Sequence, residues 1–465
     1  MVVKLYVMDF SPPVRACLMA CEIFNVPYER VELDLDKREH HTPEYLEKNP
    51  MHTIPVMEDG DLTLRDSHAI MAYLSDTYAK DDSWYPKDVK KRALVNEKLF
   101  FNAFVVFSRL RVVTYYMLQK GYKKLEQEWL ERIVEAYSFI EAFLSKTMYI
   151  AGDDISIADL ALLSNVSSLE HMQPIDTERF PNTIAWLDKM KAAPYCKKHN
   201  EKGVKDLDGY IKSCIEQQGV SSSETYKRGS CFVFFIKDNI YIETNTNMGV
   251  KLYAADFSPP VRSSMMALDI FNVPFEKITL NLLKLEHRTP EYLEKNPIHS
   301  IPVLEDGDLI LHDSHAIMAY LADTYGKDES WYPKDVKKRA LVNQKLFFTT
   351  GVIFPRLRII TYYLLEKGRK AIEQEWLDNI EEAIGFVEQF LSRTKFIALG
   401  HVTIADIAVL SHLSSVEPIL PIDPKKYPKT VAWLEIMKAT PYCKKYNEEG
   451  VKSLTAIIYH AIGKK

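Results

Sequence analysis

The stretch Val3-Lys-Leu-Tyr-Val-Met-Asp-Phe-Ser-Pro-Pro-Val-Arg15 decides the fold, because it joins a buried strand to a capped helix. Residues 2–8 are mostly apolar and β-prone, which favours a strand. Ser11 is a good helix N-cap, and Pro12 stands where proline is tolerated best, at the first helical position. An apolar stripe with helical spacing follows, formed by Cys17, Leu18, Cys21 and Phe24.

The chain contains this pattern twice. Asp9 to Arg15 returns as Asp256 to Arg262, an offset of 247 (256 − 9). At the same offset, Asp66-Ser-His-Ala-Ile70 returns as Asp313 to Ile317. This period is far longer than the roughly 20–50 residues of solenoid repeats. The sequence therefore predicts two copies of a whole folded unit, here called unit one and unit two.

Composition excludes several classes of protein. A net charge of −5 over 465 residues gives no bulk field that would recruit nucleic acid or an anionic membrane. No apolar run approaches the ~18 residues that would span a bilayer, and the first residues lack the pattern of a signal peptide. We expect a cytoplasmic protein with neither nucleic acid nor membrane as a partner.

The six cysteines do not repeat as a set. Cys17 and Cys21 correspond to Ser264 and Leu268, and only Cys196 recurs, as Cys443. A disulfide framework or a metal site would be expected in both copies. We therefore predict reduced thiols and no metal site.

Each unit combines two patterns. The first 80 or so residues predict the order βαβ and then ββα, with Asp59-Gly60 as a hairpin turn. From Val89 onward the pattern is helical, with amphipathic segments around 94–118 and 126–144. In this part, Ser156-Ile-Ala-Asp159 and Thr403-Ile-Ala-Asp406 have the form of capping boxes. The predicted fold class is α/β plus all-α, duplicated, with N-terminal domains at 1–81 and 248–328, helical domains at 88–218 and 335–465, and a linker at 219–247.

Three motifs, in this order in both units, carry a resemblance to a known family. They are the Ser-Pro-Pro-Val-Arg run at Ser11, Asn49-Pro-Met-His-Thr-Ile-Pro-Val56, and Asp66-Ser-His-Ala-Ile70. They resemble the cytosolic glutathione transferases, most closely the insect epsilon class, with the delta class next. The resemblance covers nearly all of both units and implies a thioredoxin-like domain followed by an all-helical domain in each.

The resemblance implies that glutathione is a co-substrate and that a serine activates its thiol. Ser11 and Ser258 match that serine, at a helix N-terminus whose partial positive charge favours a thiolate. Three alternatives stand beside this role. The serines could be plain N-caps, Tyr6 and Tyr253 could activate the thiol as in other classes, or Cys17 could attack, although its counterpart is Ser264.

The remaining glutathione contacts are also implied by the resemblance. Ile54 and Ile301 would hold the peptide backbone, each before a proline expected to be cis, Pro55 or Pro302. Asp66 with Ser67, and Asp313 with Ser314, would bind the γ-glutamyl amine and carboxylate. Loop histidines would bind the glycine carboxylate, and these are His40, His52, His287 and His299. Plain helix caps and solvated histidines are the alternatives.

The pocket for the second substrate is expected to be apolar and to lie between the two domains of a unit. Leu110, Arg111, Thr114 and Leu118 share one helix face, and Arg358 corresponds to Arg111. Domain packing is an equally good explanation of that stripe. We expect Arg109 to form a structural ion pair, and His68 and His315 to lie on a helix surface.

The sequence thus predicts a detoxifying glutathione transferase that conjugates small hydrophobic electrophiles at two sites per chain. A protein that sequesters hydrophobic ligands with little catalysis is the alternative, and a pure interaction scaffold is a third possibility. Because the family forms two-fold dimers, the units could pair as an intramolecular pseudo-dimer or between chains as a homodimer.

Overall fold

The computed structural model describes residues 2–216 and 249–463. The predicted linker at 219–247, with its β-prone segment Cys231-Phe-Val-Phe-Phe-Ile236, lies outside the described residues. The described residues therefore comprise unit one before this stretch and unit two after it.

Unit one begins with a four-stranded sheet in the order β2-β1-β3-β4. β1 pairs parallel with β2 and antiparallel with β3, and β3 pairs antiparallel with β4 across the predicted Asp59-Gly60 turn. The elements follow the predicted βαβ-ββα order: β1 Val3–Val7, α1 Pro12–Ile23, β2 Tyr28–Glu32, α2 Pro43–Lys48, β3 Val56–Asp59, β4 Leu62–Leu64 and α3 Ser67–Tyr78.

The rest of unit one is helical, as predicted. The segment expected as one long helix is α4 and α5 with a π-helical turn after each, at Asn102–Val106 and Tyr115–Gln119. Turns of this type are frequent near functional sites. The helices are α4 Val89–Phe101, α5 Phe107–Thr114, α6 Gln127–Leu144, α7 Ile157–Met172, α8 Pro181–Lys191, α9 Pro194–His199 and α10 Glu201–Glu216.

Unit two repeats this order. Its sheet has the order β6-β5-β7-β8, with β5 parallel to β6. The first domain contains β5 Val250–Ala254, α11 Pro259–Ile270, β6 Phe275–Thr279, α12 Pro290–Lys295, β7 Val303–Asp306, β8 Leu309–His312 and α13 Ser314–Tyr325. The helices that follow are α14 Val336–Phe348, α15 Phe354–Thr361, α16 Gln374–Arg393, α17 Ile404–Val416, α18 Pro428–Lys438, α19 Pro441–Tyr446 and α20 Glu448–Ala461.

The predicted capping boxes form at the start of α7 and α17. The fully buried Asp159 carboxylate accepts hydrogen bonds from the Ser156 backbone N–H (2.9 Å) and from the Trp186 indole N–H (3.0 Å). The Ile150 N–H also donates to it at 3.0 Å. Because each bond satisfies a buried polar group, this aspartate fixes the position of α7 within the helical domain.

A buried arginine joins the two domains of each unit. The Arg15 guanidinium, on α1, donates to Asn200 Oδ1 (2.7 Å) and to Ser168 Oγ (2.6 Å) in the helical domain. Arg262 makes the same contacts with Asn447 and Ser415. The helix that begins at the predicted catalytic serine is therefore anchored to the domain expected to hold the second substrate.

The two units pack against each other within the chain, α4 on α13 and α14 on α3. The rings of Phe100 and Phe347 stack across this interface with centroids 4.3 Å apart. The Glu97 carboxylate, which is 1% exposed, accepts a hydrogen bond from the His312 backbone N–H at 2.8 Å. At the corresponding place on the other side, Gln344 accepts from the Arg65 backbone N–H at 2.9 Å.

Two further properties concern only the described parts of the chain. No helix there combines the length and the apolar character needed to cross a bilayer. The cysteines there are free thiols: Cys17, Cys21, Cys196, Cys214 and Cys443.

We predict that Glu97 makes the interface between the units sensitive to acid. Burial alone would raise the pKa of Glu97, but the charges of His312 and Lys98 outweigh it and lower the pKa to about 2. Since this pKa lies below the unfolded value of about 4.3, the stabilisation is present above pH ~4.3 and is lost as pH falls through 2. It amounts to about 3 kcal/mol.

Urea denaturation of wild type and Glu97→Gln between pH 5 and pH 2 checks this. Glutamine already occupies the equivalent position 344 in unit two, so the variant should fit the interface. The free energy of unfolding of wild type should fall more steeply with acid than that of the variant. Parallel pH profiles would contradict the assignment.

Candidate functional site

The two predicted catalytic serines occupy the same position. Ser11 and Ser258 are the N-caps of α1 and α11, each half-buried and each with an extended backbone conformation. Neither side chain caps its own helix, and neither hydroxyl forms a hydrogen bond with any described residue. Each hydroxyl thus lies at the positive end of a helix and is available to a bound group.

The tyrosines considered as alternatives are already engaged. The Tyr6 hydroxyl donates to Glu58 Oε2 at 3.0 Å, and the Tyr253 hydroxyl donates to Glu305 Oε1 at the same distance. Burial, with the adjacent carboxylate Glu58, raises the pKa of Tyr6. A phenol held by a carboxylate is a poor donor for a thiolate, so the geometry does not favour these tyrosines.

The loop before β3 has the expected backbone. The Ile54–Pro55 and Ile301–Pro302 peptide bonds are both cis, which confirms that prediction. Ile54 and Ile301 are half-buried, and their backbone N–H and C=O groups form no hydrogen bond with the described residues. An extended peptide could therefore pair with them as a strand pairs with a sheet edge.

Asp66 and Asp313 are the N-caps of α3 and α13. The Asp66 carboxylate accepts from the backbone N–H groups of His68 (2.8 Å) and Ala69 (3.1 Å), as a helix cap does. Asp313 makes the equivalent bonds, but its φ is 70°, whereas that of Asp66 is −135°. A non-glycine residue in that region is strained. Ser67 and Ser314, the first residues of these helices, are buried.

The structure brings the predicted loop histidines together. In unit one, the rings of His40 and His52 lie 6.5 Å apart, and the ring of His41 lies 4.2 Å from the first and 4.6 Å from the second. In unit two, the rings of His287 and His299 are 6.2 Å apart, and Arg288 replaces the third histidine. No cluster with the arrangement of a metal site occurs among the described residues.

The surroundings of His40 and His299 favour the neutral form of each ring. Burial, followed by the neighbouring His41 and His52, lowers the pKa of His40 to about 4. Burial and Arg288 likewise lower the pKa of His299 to about 4. A neutral imidazole still has one N–H group that can donate to a carboxylate.

Each of these histidine loops also contacts the opposite unit. His52 Nε2 lies 3.7 Å from Glu382 Oε1 on α16 of unit two, and Glu382 pairs with Arg356 at 2.5 Å. Correspondingly, the ring of Phe139 on α6 of unit one lies 5.7 Å from the ring of His299. No local pattern signals these contacts, because they depend on how the units pair.

The expected pocket stripe is only partly open. Leu110 is 1% exposed and packs in the core, and the Thr114 hydroxyl donates to the Leu110 carbonyl at 3.1 Å. Arg111 is exposed and Leu118 is half-buried. Arg358 forms an ion pair with Glu366 at 2.5 Å. Arg109 pairs with Glu135 at 2.6 Å, which confirms its predicted structural role.

The expectation that His68 and His315 lie on a helix surface is wrong. His68 is 5% exposed, and its ring stacks on Phe347 of unit two at 4.8 Å. His68 Nδ1 lies 3.1 Å from Asp66 Oδ1, while the Asn102 side chain donates to Nε2 at 2.9 Å. That helix face is covered by the other unit, so it is not a free surface.

Grooves are open on the surface of the described residues. A groove of about 350 Å³ is lined by Glu382 and Phe386, which also contact the His52 loop. Another of about 690 Å³ runs along α20 and contains none of the predicted site residues. The first groove thus continues the cluster built from both units.

Family models match both units. Those for the N-terminal domain of glutathione S-transferases match residues 5–82 and 248–323, and that for the C-terminal domain matches 106–203 and 356–450. The chain belongs to the glutathione S-transferase family. This is a family of enzymes, and the two pairs of matches show a tandem duplication of the whole transferase.

Individual relatives correspond to one unit each. Glutathione S-transferase 1 of Manduca sexta is 40% identical over 205 residues, which cover 44% of this chain and 94% of the relative. An epsilon-class glutathione S-transferase from the housefly Musca domestica is 43% identical, with a TM-score of 0.45, and 46% of this chain covers 98% of that structure. A Drosophila mojavensis homologue solved with bound glutathione is 42% identical, with a TM-score of 0.45. The match covers 46% of this chain and 97% of that structure.

We predict that no cysteine of α1 takes part in this transferase's chemistry. Burial raises the pKa of the Cys17 thiol well above its usual range and that of Cys21 to about 12, so neither forms a thiolate near pH 7. Cys17→Ser, which places in unit one the residue that unit two already has at position 264, should keep at least half of the transferase activity. Loss of most activity, with the circular dichroism spectrum unchanged, would contradict this.

Proposed function

We propose that each unit binds glutathione and transfers it to hydrophobic electrophiles, with Ser11 and Ser258 as the activating residues. The observation that carries the proposal is the free serine hydroxyl at the N-terminus of α1 and α11. Membership of the family supplies the reaction type, and the duplicated geometry supports two sites.

The serine would act on the acidity of the thiol. A free thiol has a pKa of about 8.5, so only about 1% is ionised at pH 6.5. A hydrogen bond donated to sulfur, beside the positive end of a helix, favours the thiolate. Lowering the pKa by about 2 units takes roughly 2.7 kcal/mol, which one or two hydrogen bonds to a charged group can supply.

The tripeptide would lie along the loop before β3. Ile54 would pair with its backbone, as Ile301 would in unit two. Asp66 would accept from the γ-glutamyl ammonium through the oxygen that does not cap α3, while Ser67 would donate to the carboxylate at the start of that helix. His40 and His52, with His287 and His299 in unit two, would each donate one N–H to the glycine carboxylate.

The electrophile would bind between the two domains, beside Arg111 and Leu118 in unit one and beside Arg358 in unit two. Leu110, which is buried, and Thr114, whose hydroxyl is hydrogen-bonded, would support this side of the pocket from the protein interior. Attack by sulfur forms the new carbon–sulfur bond, and the leaving group departs with its electron pair. The thiol proton passes to solvent before that step.

For the chain as a whole, we propose the domain division 1–81, 88–218, 248–328 and 335–465, with the two units paired inside one chain. The contacts of His52 with Glu382 support this, because each glutathione site then has one wall from the opposite unit. The described cysteines are free thiols, which supports the proposal of a reducing, cytoplasmic location.

We predict that the serines account for most of the rate at pH 6.5. Ser11→Ala with Ser258→Ala should lower kcat/KM with a chlorodinitrobenzene substrate by about 50-fold, because the thiolate fraction drops from about one half to about 1%. The loss should shrink above pH 8.5, where the free thiol ionises by itself. Steady-state rates from pH 6 to pH 9 measure this.

The single variants show how many sites work. Each should keep the activity of the other unit, so Ser11→Ala and Ser258→Ala activities should add to about that of wild type. Equal rates for wild type and double variant would eliminate the serine mechanism. Retention on immobilised glutathione with negligible turnover by wild type would instead identify a sequestering protein.

We also predict that the two units pair with each other within one chain. Light scattering should give the mass of one chain, 53.7 kDa, because the interface that a homodimer would use is already occupied by the second unit. A mass of twice that value at micromolar concentration would show that units also pair between chains.

A further inference from the structure

The two arginines of the proposed electrophile pockets have different partners. Arg358 Nη2 lies 2.5 Å from Glu366 Oε1, and its guanidinium lies over the Tyr362 ring at 5.5 Å. In unit one, Gln119 occupies the position of Glu366. The exposed Arg111 forms no ion pair and no hydrogen bond with the residues that the structure describes.

The charges around Arg111 do not replace the missing acid. The carboxylate that acts on it is Glu382 of unit two, which already pairs with Arg356 at 2.5 Å and lies 3.7 Å from His52 Nε2. Tyr115 also acts on Arg111, and the positive charge of Arg356 lies within electrostatic range of it. The Arg111 side chain therefore leaves a net positive charge at the pocket of unit one.

Glu366 lies within electrostatic range of the histidine loop of unit two. Burial and the charge of Arg288 lower the pKa of His287, and the Glu366 charge opposes this shift. In the pocket proposed for unit two, the charges of Arg358 and Glu366 neutralise each other, because the two side chains form an ion pair.

We infer that the two pockets select electrophiles by charge, and that position 119 in unit one and 366 in unit two determine the choice. Unit one favours electrophiles that carry a negative group, such as a carboxylate, because Arg111 is free to pair with it. Unit two favours neutral electrophiles, because Glu366 both occupies Arg358 and repels an anion. This inference rests on the proposed function and specifies its substrate classes.

A matched pair of substrates separates charge from shape. 4-Chloro-3,5-dinitrobenzoate and 4-chloro-3,5-dinitrobenzamide react by the same step: the thiolate sulfur bonds to the ring carbon, the carbon–chlorine bond breaks, and chloride leaves with the electron pair. The two compounds differ in charge at the group opposite chlorine. The measured quantity is the ratio of kcat/KM for the benzoate to kcat/KM for the benzamide, at low ionic strength.

The reciprocal variants Gln119→Glu and Glu366→Gln test the inference in the otherwise unaltered chain. One added or removed charge should change the ratio at its own site by about fivefold, mainly through KM. For the whole chain, Gln119→Glu should lower the ratio about threefold and Glu366→Gln should raise it up to about twofold. Both changes should shrink in about 0.5 M salt, because exposed charges are screened.

Glu449→Gln is the control, since it removes a more exposed paired carboxylate on α20, away from the predicted site residues. It should leave the ratio unchanged. If Gln119→Glu and Glu366→Gln leave the ratio unchanged while both variants conjugate the benzamide, the inference of selection by charge is wrong. That outcome would leave the proposed function intact. A wild-type chain that conjugates neither compound would overturn the proposed function, and the inference with it.

Discussion

The pairing of α3 and α4 with α14 and α13 is the contact on which the rest of the molecule depends. Its centre is the stack of Phe100 on Phe347, and the buried Glu97 carboxylate lies within the same interface. Once the helices pair in this way, α6 and α16 reach the histidine loops of the opposite units. Each candidate site then contains groups from both halves of the chain, such as His52 and Glu382.

This arrangement gives a fused chain a freedom that a homodimer lacks. In a homodimer every substitution appears at both sites, because the two subunits have one sequence. Here Gln119 and Glu366 differ, and so do Asn102 and Thr349 beside the buried histidine of each unit. The first difference gives Arg358 an acidic partner that Arg111 lacks at position 119. The second removes the Asn102 side chain that donates to His68 Nε2, and no described residue replaces that bond at His315.

The structural features that the sequence predicted correctly are those that depend on a few neighbouring residues. Ser11 before Pro12 predicts a helix start, Asp59-Gly60 predicts a hairpin, and Ser156 with Asp159 predicts a capping box; all three form. The cis peptide before Pro55 was predicted from the resemblance and is present. Whether the assigned site residues bind glutathione stays a prediction.

The features that the sequence did not predict depend on contacts between the two units. His68 was expected on a surface because its helix has an exposed face in isolation, yet Phe347 covers that face. Glu382 could not be assigned to the site of unit one, since it lies more than 300 positions from His52 in the sequence. Arg358 pairs with Glu366, which lies at the end of a π-helical turn that helical periodicity alone does not predict.

Charge at the interface does not by itself explain why unit one pairs with unit two. Lys98 is paired with Glu97, whereas Lys345 has Gln344 beside it and packs on the Phe390 ring at 3.2 Å. Burial, with Arg65 and Arg393, lowers the pKa of Lys345 well below its usual range. With two copies of unit one, every Lys98 would have the Glu97 carboxylate beside it. The covalent link raises the effective concentration of one unit near the other, so it would favour pairing within the chain.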